Sequence, residues 1–172
     1  MFDIYSTNQS NSERYAIGAE GPNKLFVVGL NPSTATSKVS DTTITKVRNV
    51  AGNNHFQGFV MINLYPLRST DPDQLPLQAN QETIATNISQ ILRLAEKASN
   101  PVFWAAWGED VVIRSYLKEA LLELNQVVLE ADGNWIHLGA LTQSGHPRHP
   151  SRLAYSWQFS QFNMSKYLQS VV

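Results

Sequence analysis

Cysteine is absent from this 172-residue chain, which excludes disulfides, thiolate nucleophiles and cysteine-ligated zinc or iron–sulfur sites. A basic excess is also absent. Thirteen Lys and Arg stand against fourteen Asp and Glu, for a formal charge of −1, whereas a domain that grips duplex backbone carries a basic surplus or stripe. Arg148 and Arg152, with Lys166 beyond, form only a local patch. No apolar run is long enough to span a bilayer, and the polar start MFDIYSTNQSNSERY lacks a basic flank followed by an apolar stretch. A cytoplasmic protein with no membrane partner is therefore expected. A P-loop, a dinucleotide glycine fingerprint and a nucleophile elbow are all missing, so no cofactor is called for.

What is present reads as a globular α/β protein. With 42% apolar and 16% charged residues, the chain can bury a core, and its length suits one domain over residues 1–172. Four short apolar runs recur: KLFVVGL (24–30), GFVMINLY (58–65), PVFWAAW (101–107) and WIHLGAL (135–141). Each is too continuous for a one-sided strand and fits a strand covered on both faces. Helical spacing fills the gaps: residues 40–51 with Ser40 as N-cap and a stop at Gly52, residues 82–98, and residues 109–124. A fourth helix over about 156–169 would bury Trp157, Met164 and Leu168. Alternating strand and helix implies right-handed crossovers and a mainly parallel four-stranded sheet between helical layers. YAIGAE (15–20) adds a candidate edge strand, QVVLEAD (126–132) reads as a short strand or a lead-in, and PLRSTDPDQLP (66–76) reads as a surface loop.

In such sheets a ligand sits beyond the carboxyl ends of the strands. Asn31, Pro32 and Ser33 follow the first run, Asn63 closes the second, Trp107 and Gly108 follow the third, and TQSGHPRHPSR (142–152) follows the fourth. A carboxamide offers one donor and one acceptor edge, the complement of a nucleobase. Two amides and a histidine at one rim therefore suit a base pocket. Each residue has a plainer role as well: Asn31 before Pro32 shapes a turn, an interior Asn63 bonds neighbouring backbone, and Asp41, Thr42 and Thr43 open a helix. His137, inside an apolar run, reads as a core histidine. In HPRH the intervening Pro147 and the lack of a nearby carboxylate argue against a metal site.

As a set and in this order, LNPSTA, DTTI, INLYPLRSTDP, WG and GHPRHP resemble a bacterial and phage family, domain of unknown function 1643, which carries no established activity. More distantly the same landmarks resemble the uracil-DNA glycosylase superfamily. That resemblance implies a three-layer αβα sandwich with Asn31, in Gly29-Leu30-Asn31-Pro32, positioning a water. It implies that Asn63 reads the base edge, and that His149, in His149-Pro150-Ser151, stabilises charge on the departing base. It would make Phe56 or Phe59 the stacking aromatic and Leu153 the DNA wedge. Asn31 and His149 are thus the catalytic candidates. Pro32, Ser33, Asp41, Asn63, Trp107, Gly108, Arg148 and Ser151 are the candidates for ligand contact. The expected partner is a nucleobase, a nucleotide or single-stranded nucleic acid. Three functions compete: N-glycosidic hydrolysis, a binding module that keeps the pocket without the reaction, and, trailing these, metal-assisted hydrolysis of a small phosphorylated metabolite using Asp41 with His149.

Overall fold

The computed structural model describes residues 1–171. Seven strands form one mixed sheet: β1 (Ile4–Thr7), β2 (Arg14–Ala19), β3 (Lys24–Gly29), β4 (Gly58–Asn63), β5 (Val102–Ala105), β6 (Asn134–Leu138) and β7 (Phe159–Gln161). Their order is β1-β2-β4-β3-β5-β6-β7. The four expected apolar runs are the parallel centre, β4-β3-β5-β6, paired in register from Lys24 opposite Gly58 to Gly29 opposite Asn63. The expected four-stranded sheet is corrected to seven, because β1 and β2 add antiparallel strands at one side and β7 adds one at the other. YAIGAE is interior, since β1 covers it.

Helices lie on both faces. On one side α1 (Thr42–Asn53) buries Ile44, Val47, Val50 and Ala51 against Leu25, Val27, Phe59, Met61 and Trp104. On the other, α2 (Gln81–Ala95), α3 (Ser115–Glu130) and α4 (Met164–Val171) pack over Phe26, Val28, Val60, Ile62 and Phe103. Strand alternation explains the division, because successive side chains point to opposite faces. Phe26 stacks on Phe103 at 4.7 Å between centroids, and Phe103 in turn meets Trp135 at 5.6 Å.

Several boundaries differ from the sequence reading. The N-cap of α1 is Asp41, not Ser40, because the Asp41 carboxylate accepts from the Ile44 amide at 2.8 Å. The helix then passes Gly52 and ends at Asn53. Residues 109–112 form a separate 3₁₀ turn, and α3 starts only after Arg114, which is extended and whose guanidinium is tied to the carbonyls of Asp73 and Leu75. Residues 126–130 of QVVLEAD are the end of α3, and the rest is a turn rather than a strand. Only the second half of the expected 156–169 helix forms, because residues 159–161 pair with β6 instead. No helix among the described residues is long and apolar enough to cross a membrane.

Candidate functional site

The polar turn after β3 is fastened to the loop after β4. Parallel pairing runs on past both strands, with the Leu64 amide donating to the Gly29 carbonyl and the Tyr65 amide to the Leu30 carbonyl, each at 3.0 Å. The Ser69 amide donates to the Pro32 carbonyl at 2.8 Å. From the other direction, the Asn31 Nδ2 donates to the Ser69 carbonyl at 3.0 Å and to the Pro32 carbonyl at 3.2 Å. Carbonyl neighbours fix which end of the amide is nitrogen. Its Oδ1 accepts from no group among the described residues and remains a free acceptor. The Arg68 guanidinium completes the stitching by donating to the carbonyls of Ser33 at 2.7 Å and Ala35 at 2.9 Å. Residues 66–76 are therefore a wall of the site, not merely a loop crossing the surface.

Between the loops after β3 and β5 lies a cavity of about 370 Å³. In strand order β3 stands between β4 and β5, and the chain leaves β3 and β5 toward opposite faces. This is the switch point at which open α/β sheets form a crevice. Asn31, Ser33, Asp41, Trp107, His149 and Ser151 line the cavity, as do Ile44 and Met61 from the face that α1 covers. Six of the ten candidate residues thus share one space.

The other four do not line it. Pro32 is buried beneath its own turn and contributes only its carbonyl to the stitching. Asn63 is fully buried, and neither its Nδ2 nor its Oδ1 finds a partner among the described residues. A methyl group placed on Gly29 would meet Asn63 Oδ1 and Met61 Cε, each at 2.7 Å, so amide and thioether crowd the same spot and only Met61 reaches the cavity. Gly108 and Arg148 line a neighbouring depression that shares Asp110, His149 and Arg152 with the first. Arg148 donates to the Ala140 carbonyl at 2.9 Å and lies over the Trp157 ring, 5.6 Å from its centroid.

The two histidines of HPRH have different roles. His149 caps the short turn Pro150–Arg152, its Nδ1 accepting from the Ser151 amide at 3.3 Å and lying 2.8 Å from the Ser151 hydroxyl. An amide nitrogen can only donate, so the proton of the neutral ring sits on Nε2. Burial lowers the His149 pKa below its ordinary 6.5, favouring that neutral form, although Asp110 and Asp41 pull the other way. Gly108, at φ +78°, lets the backbone pass: an added Cβ would lie 3.3 Å from His149 Cβ. His146 is buried, with Nδ1 2.8 Å from the Tyr167 hydroxyl, which accepts from Trp107 Nε1 at 3.0 Å. The Tyr167 hydroxyl thus links Trp107 to His146, and His146 is part of the core.

Three expectations about aromatic and apolar residues are corrected. Phe59 is buried in the core, and Phe56 stands just ahead of β4, at the opposite end of the sheet from the cavity. Trp107, 1% exposed, is the aromatic that lines the cavity among the described residues. Leu153 is buried beside Trp104 and α1 and does not project as a wedge.

The sequence reading missed Arg14, Ser69, Thr70, Asp110 and Arg152, which also line the cavity. Arg14 opens β2, whose antiparallel course brings its first residue to the rim where β4 ends. It is 2% exposed, and its Nη1 donates to the Ala35 carbonyl at 3.1 Å. Burial, and then Arg68, lower its pKa to about 10, so it remains a cation at neutral pH. A charged residue just ahead of an apolar run reads as a surface position. Only the LRST segment, also within one of the motifs, could have signalled that the second loop belongs to the site.

A family model described as a protein of unknown function, DUF1643, matches residues 14–151. The match begins at Arg14 and ends at Ser151, and all the cavity-lining residues except Arg152 fall within it. No curated protein and no solved structure matches the chain.

Proposed function

The chain belongs to the DUF1643 family, and from its site we propose that it hydrolyses the N-glycosidic bond of a nucleotide. One observation carries this reading. A free acceptor, Asn31 Oδ1, and the ring of His149, protonated on Nε2, belong to residues lining the same cavity, and backbone hydrogen bonds orient both. The cavity also lies within the roughly 300–1,000 Å³ of small-molecule sites. The motif resemblance to the uracil-DNA glycosylase superfamily is a second support, and on that reading the sandwich is a variant of that superfamily's fold.

In the proposed reaction a water donates one hydrogen bond to Asn31 Oδ1 and directs a lone pair at the anomeric carbon of the sugar. The carbon–nitrogen bond breaks, and its electron pair leaves with the base. His149 Nε2–H donates to a base oxygen as negative charge gathers there; a neutral imidazole does this without surrendering its proton. Solvent then protonates the base, and the attacking water loses its second proton to solvent. Asn63 would meet the base edge only if Met61 moved from the spot they share beside Gly29.

The test is incubation with uracil-, hypoxanthine- and xanthine-containing nucleotides and oligonucleotides, followed by chromatography for free base and a probe for abasic sites. Asn31→Ala and His149→Ala should each lower turnover by roughly 10²–10³-fold. No released base from any substrate would refute hydrolysis. A second reading, a binding module, is favoured by one feature: both Asp41 oxygens accept backbone amides, from Ile44 at 2.8 Å and from Ala35 at 3.3 Å. That leaves this carboxylate poorly placed to take a proton from water. Saturable thermal stabilisation by nucleotides without cleavage would select that reading.

A further inference from the structure

We propose that Arg14, with the Ser69 and Thr70 loop, binds a phosphate ester carried by the ligand. Arg14 is 2% exposed, its Nη1 reaches one carbonyl, and its buried Nε has no acceptor among the described residues. Among the described residues no carboxylate lies within ion-pair distance of it, and the pair found there joins Lys24 and Glu20, elsewhere. A buried cation without an ion-paired partner is costly to hold.

The surroundings raise that cost. Arg68 also donates to the Ala35 carbonyl, and its Nε is likewise buried without an acceptor. Two guanidiniums thus converge on one carbonyl oxygen, while Asp41, the nearby acid, has both oxygens engaged by backbone amides. Arg14 lines the cavity alongside Ser33, Ser69 and Thr70. A planar guanidinium with free N–H groups suits the paired oxygens of a phosphate. The topology sets Arg14 on the β2–β4 side of the mouth and His149 across Gly108 on the β5–β6 side. A ligand with a base at one end and a phosphate at the other would fill that span.

The ligand's identity rests on the nucleotide reading above, but the phosphate contact can be tested apart from it. The probes are inorganic phosphate, ribose 5-phosphate, uridine, uridine 5′-monophosphate and a single-stranded deoxyuridine oligonucleotide, titrated calorimetrically into the full chain. Phosphorylated ligands should bind roughly tenfold to a hundredfold more tightly than uridine. Preference for the monophosphate identifies a terminal phosphate, and preference for the oligonucleotide identifies a backbone phosphate. Arg14→Lys should remove most of the discrimination. Should that variant fail to fold, Thr70→Asp, which sets a negative charge on an exposed loop residue at the rim, decides the matter by abolishing it. Equal binding of uridine and its monophosphate, or discrimination that survives the folded variants, overturns the proposal. Arg14-dependent binding of ribose 5-phosphate with no gain from a base would uphold it while defeating the nucleobase reading. Cleavage of uridine with no preference for phosphate would do the reverse.

Discussion

The side-chain amide of Asn31 donates to the carbonyl of Ser69 at 3.0 Å, joining two loops that follow neighbouring parallel strands. A carboxylate at position 31 would face that carbonyl with no hydrogen to give. Asn31→Asp should therefore loosen residues 66–72 and cost about 1–3 kcal/mol. Hydrogen exchange should rise in that loop and not in α3; unchanged exchange there would show that the amide does not hold it.

Gly108 takes a left-handed backbone conformation, φ +78°, directly against His149. Gly108→Ala combines that backbone penalty, about 1–3 kcal/mol, with pressure on the His149 Cβ. Any base-release activity should fall by more than the stability loss alone would cause, so turnover is to be compared with melting temperature. A variant that melts earlier yet turns over normally would separate Gly108 from the site.

Burial lowers the pKa values of His137, His146 and His149 below 6.5. The unfolded chain therefore binds more protons than the native one as acid is added. The stability tied to these rings is present in full above about pH 6.5 and is lost as pH falls through the lower native values. Melting temperature should decline from pH 7 to pH 5. His146→Gln should flatten that decline; a rise in stability on acidification would contradict the assignment.

Leu153 is 5% exposed. Leu153→Ala should cost about 2–5 kcal/mol as a buried cavity, without altering any preference between single- and double-stranded oligonucleotides. A selective loss on duplex, with stability intact, would restore it as a wedge.

The strands of the parallel centre were readable because β3, β4 and β5 are buried on both faces and so appear as unbroken apolar runs, and β6, partly buried, still stands out as a short apolar run. The stripes of α1 and α2 were readable from their spacing. β1 and β7 were not, since IYST and FSQ are short and partly exposed and acquire their structure from the strands beside them. For the cavity, loop position after parallel strands was enough to bring in Asn31, Asp41 and His149. It could not disclose that Asn63, on the same strand face as Met61, would be shut away beneath it. Nor could it reveal Arg14, whose burial depends on Pro66, Ala35 and Arg68, remote from it in sequence.

The antiparallel entry of β2 separates architecture from capture. A chain beginning after residue 20 would retain every crossover unit and the imidazole side of the mouth, yet lose the guanidinium opposite. Such a truncation would keep the crossover topology with half its grip and without the core contacts of Ala16 and Ile17, so the first twenty residues form one jaw of the mouth.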